Sequence, residues 1–308
     1  MDQSYDIVVA GAGIAGLTAA LTAARLGRKT LVLSGDVLGG QLLSIEKVDG
    51  YPGFPDGVPG YDLCPIAQEQ AMTAGAEFES AEITGLEPSG DGIKISTTVG
   101  DVSARAVIVA TGANLKHLGV PGEDRLEGKG VSHCATCDGP LLKGKVAAIV
   151  GGGDSALQEA LTLAEFTSKT IILNNADSLT GQQAYRERVE SNAKIEVRNN
   201  TTVEEILGDT AVTGLKLKSS GGESQIESAG VFVYIGLEPA SGFLNGKVKV
   251  DAKGAVPTDG QMRTELRGVF AAGTIRAGAQ GRAAASAGDG ATAAIAADQY
   301  LRDGQWHS

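Results

Sequence analysis

The chain is poor in cysteine and has no long hydrophobic run. Only three cysteines occur among its 308 residues, far too few for a secreted scaffold held together by disulfides. No stretch of about 18 apolar residues is present, which excludes a membrane-spanning helix of ordinary length. The first residues also lack the basic and apolar regions of a secretory signal peptide. We therefore expect a cytoplasmic protein that does not bind a membrane.

Cationic and aromatic residues are scarce as well. Lys and Arg total 26 against 37 Asp and Glu, a formal net charge of −11, and aromatic residues make up 4% of the chain. Because such a surface repels a phosphate backbone, nucleic-acid binding is not expected. Hydrophobic residues reach 42%, which excludes a disordered chain, and the length favours two domains.

Glycine is the residue that the sequence has in excess. It accounts for 44 positions, about twice its usual share, and its first cluster follows a strand-like run at 5–10. A helical pattern at 17–26 and a second strand-like run at 29–33 complete a βαβ unit. In such a turn the glycines let the backbone approach a pyrophosphate, which the free N–H groups of the helix bind. The candidate cofactor-binding residues of this turn are Gly11, Ala12, Gly13, Ile14, Ala15 and Gly16.

The same pattern recurs in the middle of the chain. Residues 146–150 predict a strand, 157–164 a helix and 170–173 a further strand. The two units start about 140 residues apart, which indicates a duplicated nucleotide-binding fold rather than a solenoid. We predict an α/β protein with two Rossmann-like three-layer domains, the first at 1–113 and 245–308 and the second inserted at 114–244. The candidate nucleotide residues of the second turn are Gly151, Gly153, Asp154, Ser155 and Ala156.

Other glycine-rich segments predict places where backbone lines a flat cofactor. At the end of the second strand, Ser34 and Gly35 stand where an acidic residue usually binds the adenosine ribose, so the first turn does not require NAD. Two later segments end in small residues or amides and are candidates to line a ring system. They are Gly40, Gln41 and Leu42, and Ala110, Thr111 and Gly112.

Two of the three cysteines form a Cys-x-x-Cys motif, Cys134 and Cys137. This spacing is typical of half a zinc site or of a redox pair, and no second Cys/His pair is present, so we favour the redox interpretation and expect no metal. Asp138 is a candidate to protonate the departing thiolate, with a simple turn residue as the alternative. Cys64 has no partner nearby in sequence and is interpreted as a buried apolar residue.

The motifs GAGIAG, GGQL, YPGFP, ATGA, CATCDG and GGGDSALQEA, followed by an Ala/Gly-rich last helix, together resemble the low-molecular-weight thioredoxin reductases. The resemblance covers essentially the whole chain and implies FAD in the first domain, an NAD(P)-binding-like second domain and a homodimer. It also implies that Cys137 faces the flavin, that Cys134 exchanges with a thioredoxin-like protein, and that Asp138 is the proton donor. At the last flavin segment the residues are Gly273, Thr274, Arg282 and Ala283.

This sequence departs from the family where NADPH would bind. The family has basic residues around the 2′-phosphate after the second strand, whereas this chain has Asn174, Asn175 and Ala176, and Thr180 further on. Because charge-assisted phosphate contacts are lost, NADPH is a doubtful donor, and neutral asparagines do not favour NADH either. A ferredoxin-type protein is the alternative donor. Thr274, which replaces a carboxylate at the flavin site, still offers a donor and an acceptor.

Two other functions are compatible with the same motifs. One is a flavin-dependent dithiol oxidase that acts on a small dithiol with oxygen as acceptor. The other is a redox-sensing or scaffold flavoprotein. At the C-terminus, Trp306 or His307 is a candidate to stack on the flavin, with a frayed tail as the alternative.

Overall fold

The computed structural model describes residues 4–306. Its strands, in chain order, are β1 (Ser4–Ala10), β2 (Thr30–Leu33), β3 (Glu77–Glu79), β4 (Ile83–Ser89), β5 (Gly92–Thr97), β6 (Gly100–Val109), β7 (Ala113–Leu115), β8 (Val131–Ser132), β9 (Val146–Val150), β10 (Lys169–Leu173), β11 (Ile195–Arg198), β12 (Thr201–Leu207), β13 (Gly214–Ser219), β14 (Gly222–Glu227), β15 (Val231–Val233), β16 (Leu237–Pro239) and β17 (Val269–Ala271). Its helices are α1 (Ile14–Arg25), α2 (Gly60–Thr73), α3 (Glu123–Leu126), α4 (Ala135–Asp138), α5 (Asp154–Phe166), α6 (Gln183–Glu190) and α7 (Ala283–Asp303). Short 3-10 turns lie at Gly40–Ser44, Gly139–Leu142, Gly242–Leu244 and Gly273–Ile275.

The chain divides into two compact units. Unit 1 contains the described residues of Met1–Asn114 and Glu238–Ser308, and unit 2 is Leu115–Leu237. The predicted first junction, after 113, lies beside the observed one, whereas the predicted second junction, after 244, lies later in the chain than the observed one. The reason is packing that sequence patterns do not show: Leu244 is buried in a core of unit 1, and Ser241 Oγ donates to Gly254 O at 2.7 Å.

The sheet of unit 1 is parallel in the order β3-β2-β1-β6-β17, and β5 and β4 extend it in antiparallel fashion from the first half of β6. Strands β1 and β2 are apolar along nearly their whole length because both faces of the sheet are covered. One face packs on α1 and α7, and the other packs on a second core that includes Leu86 of β4 and Ile95 of β5.

Helix α7 packs along α1 through small side chains. A Cβ at Gly290 of α7 would meet the carbonyl oxygen of Ala15 at 2.0 Å, so the two backbones approach more closely than any side chain allows. The alanines of both helices form the rest of this contact. This close packing brings the first turns of α7 beside the turn that precedes α1.

Unit 2 repeats the design with a parallel sheet in the order β11-β10-β9-β15-β8. Helices α5 and α6 cover one face, and the antiparallel sheet β12-β13-β14 covers the other. The predicted class of two Rossmann-like three-layer domains, the second inserted into the first, is confirmed. No helix among residues 4–306 is long and apolar enough to span a bilayer.

Candidate active site

The first glycine turn links the end of β1 to the start of α1. Gly11 has φ +109°, and a Cβ there would lie 2.3 Å from the carbonyl oxygen of Ala110. A Cβ at Gly16 would lie 1.9 Å from the oxygen of Gly11, whereas one at Gly13 would meet no atom within 4 Å. The outer glycines therefore permit a tight turn, and the middle one leaves open space in front of it.

The amino end of α1 faces this open space. Within the described residues, no side chain caps the helix and its first turn carries no acidic residue. The first N–H groups of a helix lack intrahelical partners and carry partial positive charge. The turn is therefore suited to a pyrophosphate.

Three further predicted segments lie around the same turn. A Cβ at Gly40 would lie 3.4 Å from Gly13 Cα, and the Gln41 side-chain amide donates to the carbonyl oxygen of Ala113. A Cβ at Gly112 would lie 3.5 Å from Thr274 Oγ1. The structure thus brings the segments at 11–16, 40–42, 110–112 and 273–274 together, although they are far apart in sequence.

An acidic residue that the sequence reasoning missed lies at this site. Asp289 of α7 accepts the N–H of Gly273 at 3.2 Å and forms a two-point ion pair with Arg276, whose Nε and Nη2 donate at 2.9 and 3.0 Å. This carboxylate lies next to Thr274, where the family has its own carboxylate. The available signal was an Asp that stands between Gly288 and Gly290 in the predicted last helix.

The residues of this cradle fit a flavin dinucleotide. The glycine backbone at 11–16 is closely packed, and the amino end of α1 has no side-chain cap. Backbone groups of the other segments cluster around them, so the site can accept a long, flat, phosphate-containing molecule. Ser34 and Gly35 lie at the end of β2, where both are bound to the segment after β3: Ser34 N donates to Glu79 O and Gly35 N to Ala81 O, each at 3.0 Å. Arg282 precedes α7 and is exposed, while Ala283 packs beside a small core at α1 and α2.

Trp306 is buried in unit 1 and lies away from this cradle. Its indole makes edge-to-face contacts with Phe270 and Tyr300, at ring distances of 5.0 and 5.2 Å. It follows α7, which starts at the cradle and rises about 30 Å over its 21 residues. The structure therefore does not bring Trp306 to a flavin bound by the same chain, because the indole is held by aromatic core packing. His307 lies outside the described residues.

The two motif cysteines are joined in a disulfide. Cys134 stands at the amino end of α4, where its sulfur accepts the N–H of Cys137 at 3.2 Å, and Asp138 N donates to Cys134 O at 3.1 Å. Cys137 is exposed, whereas Cys134 and Asp138 are half-buried. A bonded pair with one sulfur at the surface suits thiol–disulfide exchange.

Two groups to which the sequence motifs assign no role lie beside α4, the cysteine helix, which contains Cys137 and follows Cys134. Glu159 of α5 is buried and its Oε2 accepts the N–H of Ala135 at 3.0 Å and the hydroxyl of Tyr234 at 3.2 Å. Glu159 was detectable in the sequence, since it lies at helical spacing from the apolar Ala156 and Leu163 on the buried face. Tyr234 follows β15, and nothing local to its sequence marks it.

His133 precedes Cys134 and has two neighbours. Its Nδ1 lies 3.0 Å from Val233 O, and its ring packs edge-to-face on His117 at 5.8 Å. His117 Nδ1 in turn lies 3.8 Å from Glu123 Oε1. Nothing in the sequence around His133 indicates this contact with His117, which lies 16 residues earlier in the chain.

The second glycine turn is partly filled by Asn174. The side chain of Asn174 is buried, and a Cβ at Gly152 would lie 2.5 Å from its Oδ1. Its Nδ2 donates to Ala176 O, Ser178 O and Asn199 Oδ1 at 3.2, 3.0 and 2.8 Å. The loop after β10 is thus organised by an inward-facing neutral amide.

The end of that loop binds back to the same turn. Thr180 N and Gly181 N donate to Gly152 O at 2.8 and 3.1 Å, and Gln182 N donates to Asp154 Oδ1 at 2.6 Å. Gly151 and Gly153 occupy the predicted turn, and Asp154, Ser155 and Ala156 form the first turn of α5. The stretch 174–182 contains no Lys or Arg, so it supplies no cation for a 2′-phosphate.

Cys64 lies in the core of unit 1, as expected. Its side chain is fully buried and its sulfur donates to Gly39 O at 3.4 Å. Burial raises the pKa of the Cys64 thiol to about 11. The thiol is therefore neutral and inert at physiological pH.

Comparison with known proteins agrees with this geometry. The family model described as pyridine nucleotide-disulphide oxidoreductase matches residues 5–297. The thioredoxin reductase of Mycolicibacterium smegmatis is 40% identical over 304 residues, 97% of each chain. The solved thioredoxin reductase of Lactococcus lactis has 34% identity and a TM-score of 0.94, covering 97% of this chain and 99% of that one.

The name of a third relative includes an electron-donor protein, ferredoxin. The ferredoxin-flavin thioredoxin reductase of Clostridium acetobutylicum is 30% identical with a TM-score of 0.54, covering 98% of this chain and 99% of that one. Similarity of this degree over nearly the full length, with the bonded cysteine pair in place, shows the family. The chain belongs to the low-molecular-weight thioredoxin reductases, flavin-dependent disulfide oxidoreductases of the pyridine nucleotide-disulphide oxidoreductase family.

Proposed function

We propose that the protein reduces a disulfide of a thioredoxin-like protein with electrons that reach Cys134 and Cys137 from FAD. The observation that carries this proposal is the disulfide at the amino end of α4, with Cys137 exposed, in a chain that also has a dinucleotide cradle. The relative from Mycolicibacterium smegmatis, named a thioredoxin reductase, supports the choice of substrate.

The residues that would hold FAD are those of the cradle. The N–H groups at the start of α1 would bind the pyrophosphate. Backbone at 40–42, 110–112 and 273–274 would line the remainder, and the carboxylate of Asp289 would stand near Thr274. Once bound and reduced by the electron donor, the flavin would supply the electron pair that reduces the disulfide.

The proposed cysteine chemistry uses the roles that the family resemblance implies for Cys134 and Cys137. Reducing the disulfide consumes two electrons and two protons, breaks the bond between Cys134 and Cys137 and leaves two thiols. We assign to Asp138, which adjoins Cys137 in sequence, the donation of a proton to the departing thiolate. Cys134 as thiolate then attacks the partner disulfide, and Cys137 attacks the resulting mixed disulfide and releases the reduced partner.

The electron donor is proposed to be other than NADPH. The loop 174–182 has no cation, and its buried Asn174 is bound by loop carbonyls instead of facing a ligand. The Clostridium relative, which is named a ferredoxin-flavin thioredoxin reductase, supports a ferredoxin-type protein as the donor. Arg276 does not contribute free positive charge for such an acidic partner, because it is ion-paired with Asp289.

The donor is tested by mixing the oxidised flavoprotein anaerobically with NADPH, NADH or a reduced ferredoxin and following flavin absorbance. We expect the ferredoxin to bleach the flavin and NADPH to bleach it at least about a hundredfold more slowly, because two or more contacts to its 2′-phosphate are missing. NADH should also be slow, because the neutral Asn174 and Asn175 stand where an acidic residue would bind its ribose. Rapid bleaching by NADPH would overturn this assignment of the donor.

A gain-of-function variant tests the same explanation from the other side. Replacing Asn175, Ala176 and Thr180 by Arg restores cations on an exposed part of the loop. We expect NADPH to reduce this variant at least about tenfold faster than the wild type, since each charge-assisted contact contributes about 1.5 to 3 kcal/mol. NADH, which lacks the phosphate, is the control and should show no comparable gain.

We also propose a homodimer. Helix α2 exposes three large apolar side chains, Tyr61, Ile66 and Met72, which are 50, 45 and 54% accessible, and exposed apolar side chains on one helix favour an association surface. Light scattering of the purified flavoprotein measures the mass directly, and a single-chain mass at micromolar concentration would contradict the proposal.

A further inference from the structure

A buried carboxylate lies directly behind the cysteine helix. Glu159 is 6% exposed and lies on the apolar face of α5. A charge in such a place is costly unless hydrogen bonds satisfy it. The partners it has are therefore informative about what it does.

Two donors to this carboxylate belong to the redox region. Oε2 accepts the N–H of Ala135, the first residue of α4, and the hydroxyl of Tyr234. Burial raises the pKa of Tyr234, and the Glu159 carboxylate raises it further. The tyrosine thus remains a hydroxyl donor across the working pH range, and the carboxylate ties α5 to the start of α4.

The hydrogen bond to Ala135 limits the distance between the Glu159 carboxylate and the Cys134 sulfur. Ala135 is bonded to Cys134, so the Cys134 sulfur lies within about 8 Å of the carboxylate whatever its rotamer. The other titratable groups around the pair are Asp138 on α4 and His133 before it. The 3-10 turn Gly139–Leu142, which also packs on α4 and α5, contains none.

We propose that Glu159 is a positioning residue that anchors the cysteine helix and whose charge sets the proton affinity of Cys134 once the disulfide is reduced. The inference rests on the proposed function, because it requires the pair to cycle between disulfide and dithiol. A negative charge within this distance disfavours the thiolate, so the reduced thiol keeps its proton to higher pH. Exchange with a partner disulfide then accelerates as pH rises, since the thiolate is the attacking form.

The Glu159→Gln variant removes the charge but keeps an oxygen that can accept the N–H of Ala135. It therefore tests the effect of the charge while the hydrogen bond to α4 is retained. We expect the pH midpoint of Cys134 alkylation to fall by roughly one unit in this variant, from the Coulomb interaction at this distance and an effective protein dielectric. The matched control is Glu165→Gln, an exposed carboxylate on the same helix, whose midpoint should equal that of the wild type.

The measurement uses the full-length flavoprotein reduced with dithiothreitol. Iodoacetamide is added at a series of pH values, and mass spectrometry of the peptides follows Cys134 and Cys137 separately, with buried Cys64 as an internal reference that stays unlabelled. This readout needs neither the electron donor nor the protein partner, so it can fail while thioredoxin reduction succeeds, and the reverse.

Tyr234→Phe provides a second variant of opposite expectation. It removes a donor to the carboxylate and leaves the negative charge less compensated, so the Cys134 midpoint should rise. An unchanged midpoint in Glu159→Gln, an equal fall in Glu165→Gln, or a fall in Tyr234→Phe would each overturn the proposal. If Glu159→Gln does not fold, Tyr234→Phe still decides: a higher Cys134 midpoint supports the proposal, and an unchanged or lower one overturns it.

Discussion

Cys137→Ser is expected to abolish reduction of a thioredoxin disulfide while FAD stays bound. In this variant the disulfide of the structure cannot form, and Cys134 can attack the partner but nothing releases the mixed disulfide. Steady-state activity should fall by at least about a thousandfold, as it does when an enzyme loses its covalent nucleophile. A covalent complex with the partner should accumulate and be visible on a non-reducing gel.

Two controls separate this role from general damage. Cys64→Ala removes the buried thiol, which takes no part in the exchange, and should keep activity and flavin. Cys134→Ser should lose activity without trapping the partner. Loss of FAD in Cys137→Ser, or a partner trapped equally well by Cys134→Ser, would contradict the assigned roles.

Gly290→Ala is expected to destabilise unit 1 and to release FAD. A methyl group at 290 would press into the carbonyl oxygen of Ala15 at 2.0 Å, a backbone atom that cannot rotate away. Helix α1 must therefore shift, and the glycine turn shifts with it. We expect a loss of about 3 kcal/mol in the free energy of unfolding, toward the upper end of overpacking effects, together with a lower flavin content after purification.

The same helix offers a matched control. Gly288 is exposed, and a Cβ there would meet nothing within 4 Å. Gly288→Ala should therefore stabilise α7 by about 0.5 to 1 kcal/mol, because alanine lowers the conformational entropy of the unfolded chain. Thermal melting and flavin absorbance after gel filtration measure both effects. A Gly290→Ala protein that melts like the wild type with full flavin would show that the helices separate freely.

Much of the fold could be predicted because its signals are local. The runs at 7–10 and 146–150 are continuously apolar and end directly in glycine turns, so strand, turn and helix follow from neighbouring residues. The same holds for the cysteine pair, whose spacing of three residues is what a disulfide across one helical turn requires.

The rest depends on residues that meet only after folding. Asp289 and Arg276 come from α7 and the loop before it, and Glu159 meets Tyr234 across 75 residues of sequence. Trp306 is another case, since its aromatic partners become visible only when α7 and β17 pack. No local pattern predicts such pairs, because their geometry is a property of the packed core.

The interrupted course of unit 1 has a consequence for synthesis. Strand β17 pairs with β6 and helix α7 packs on α1, so the unit lacks essential parts until its last residues are made. Unit 2 is one continuous stretch and leaves the ribosome complete before β17 exists. A nascent chain ending near residue 260 would therefore carry a folded redox segment, able to form its disulfide, before any flavin site has been assembled.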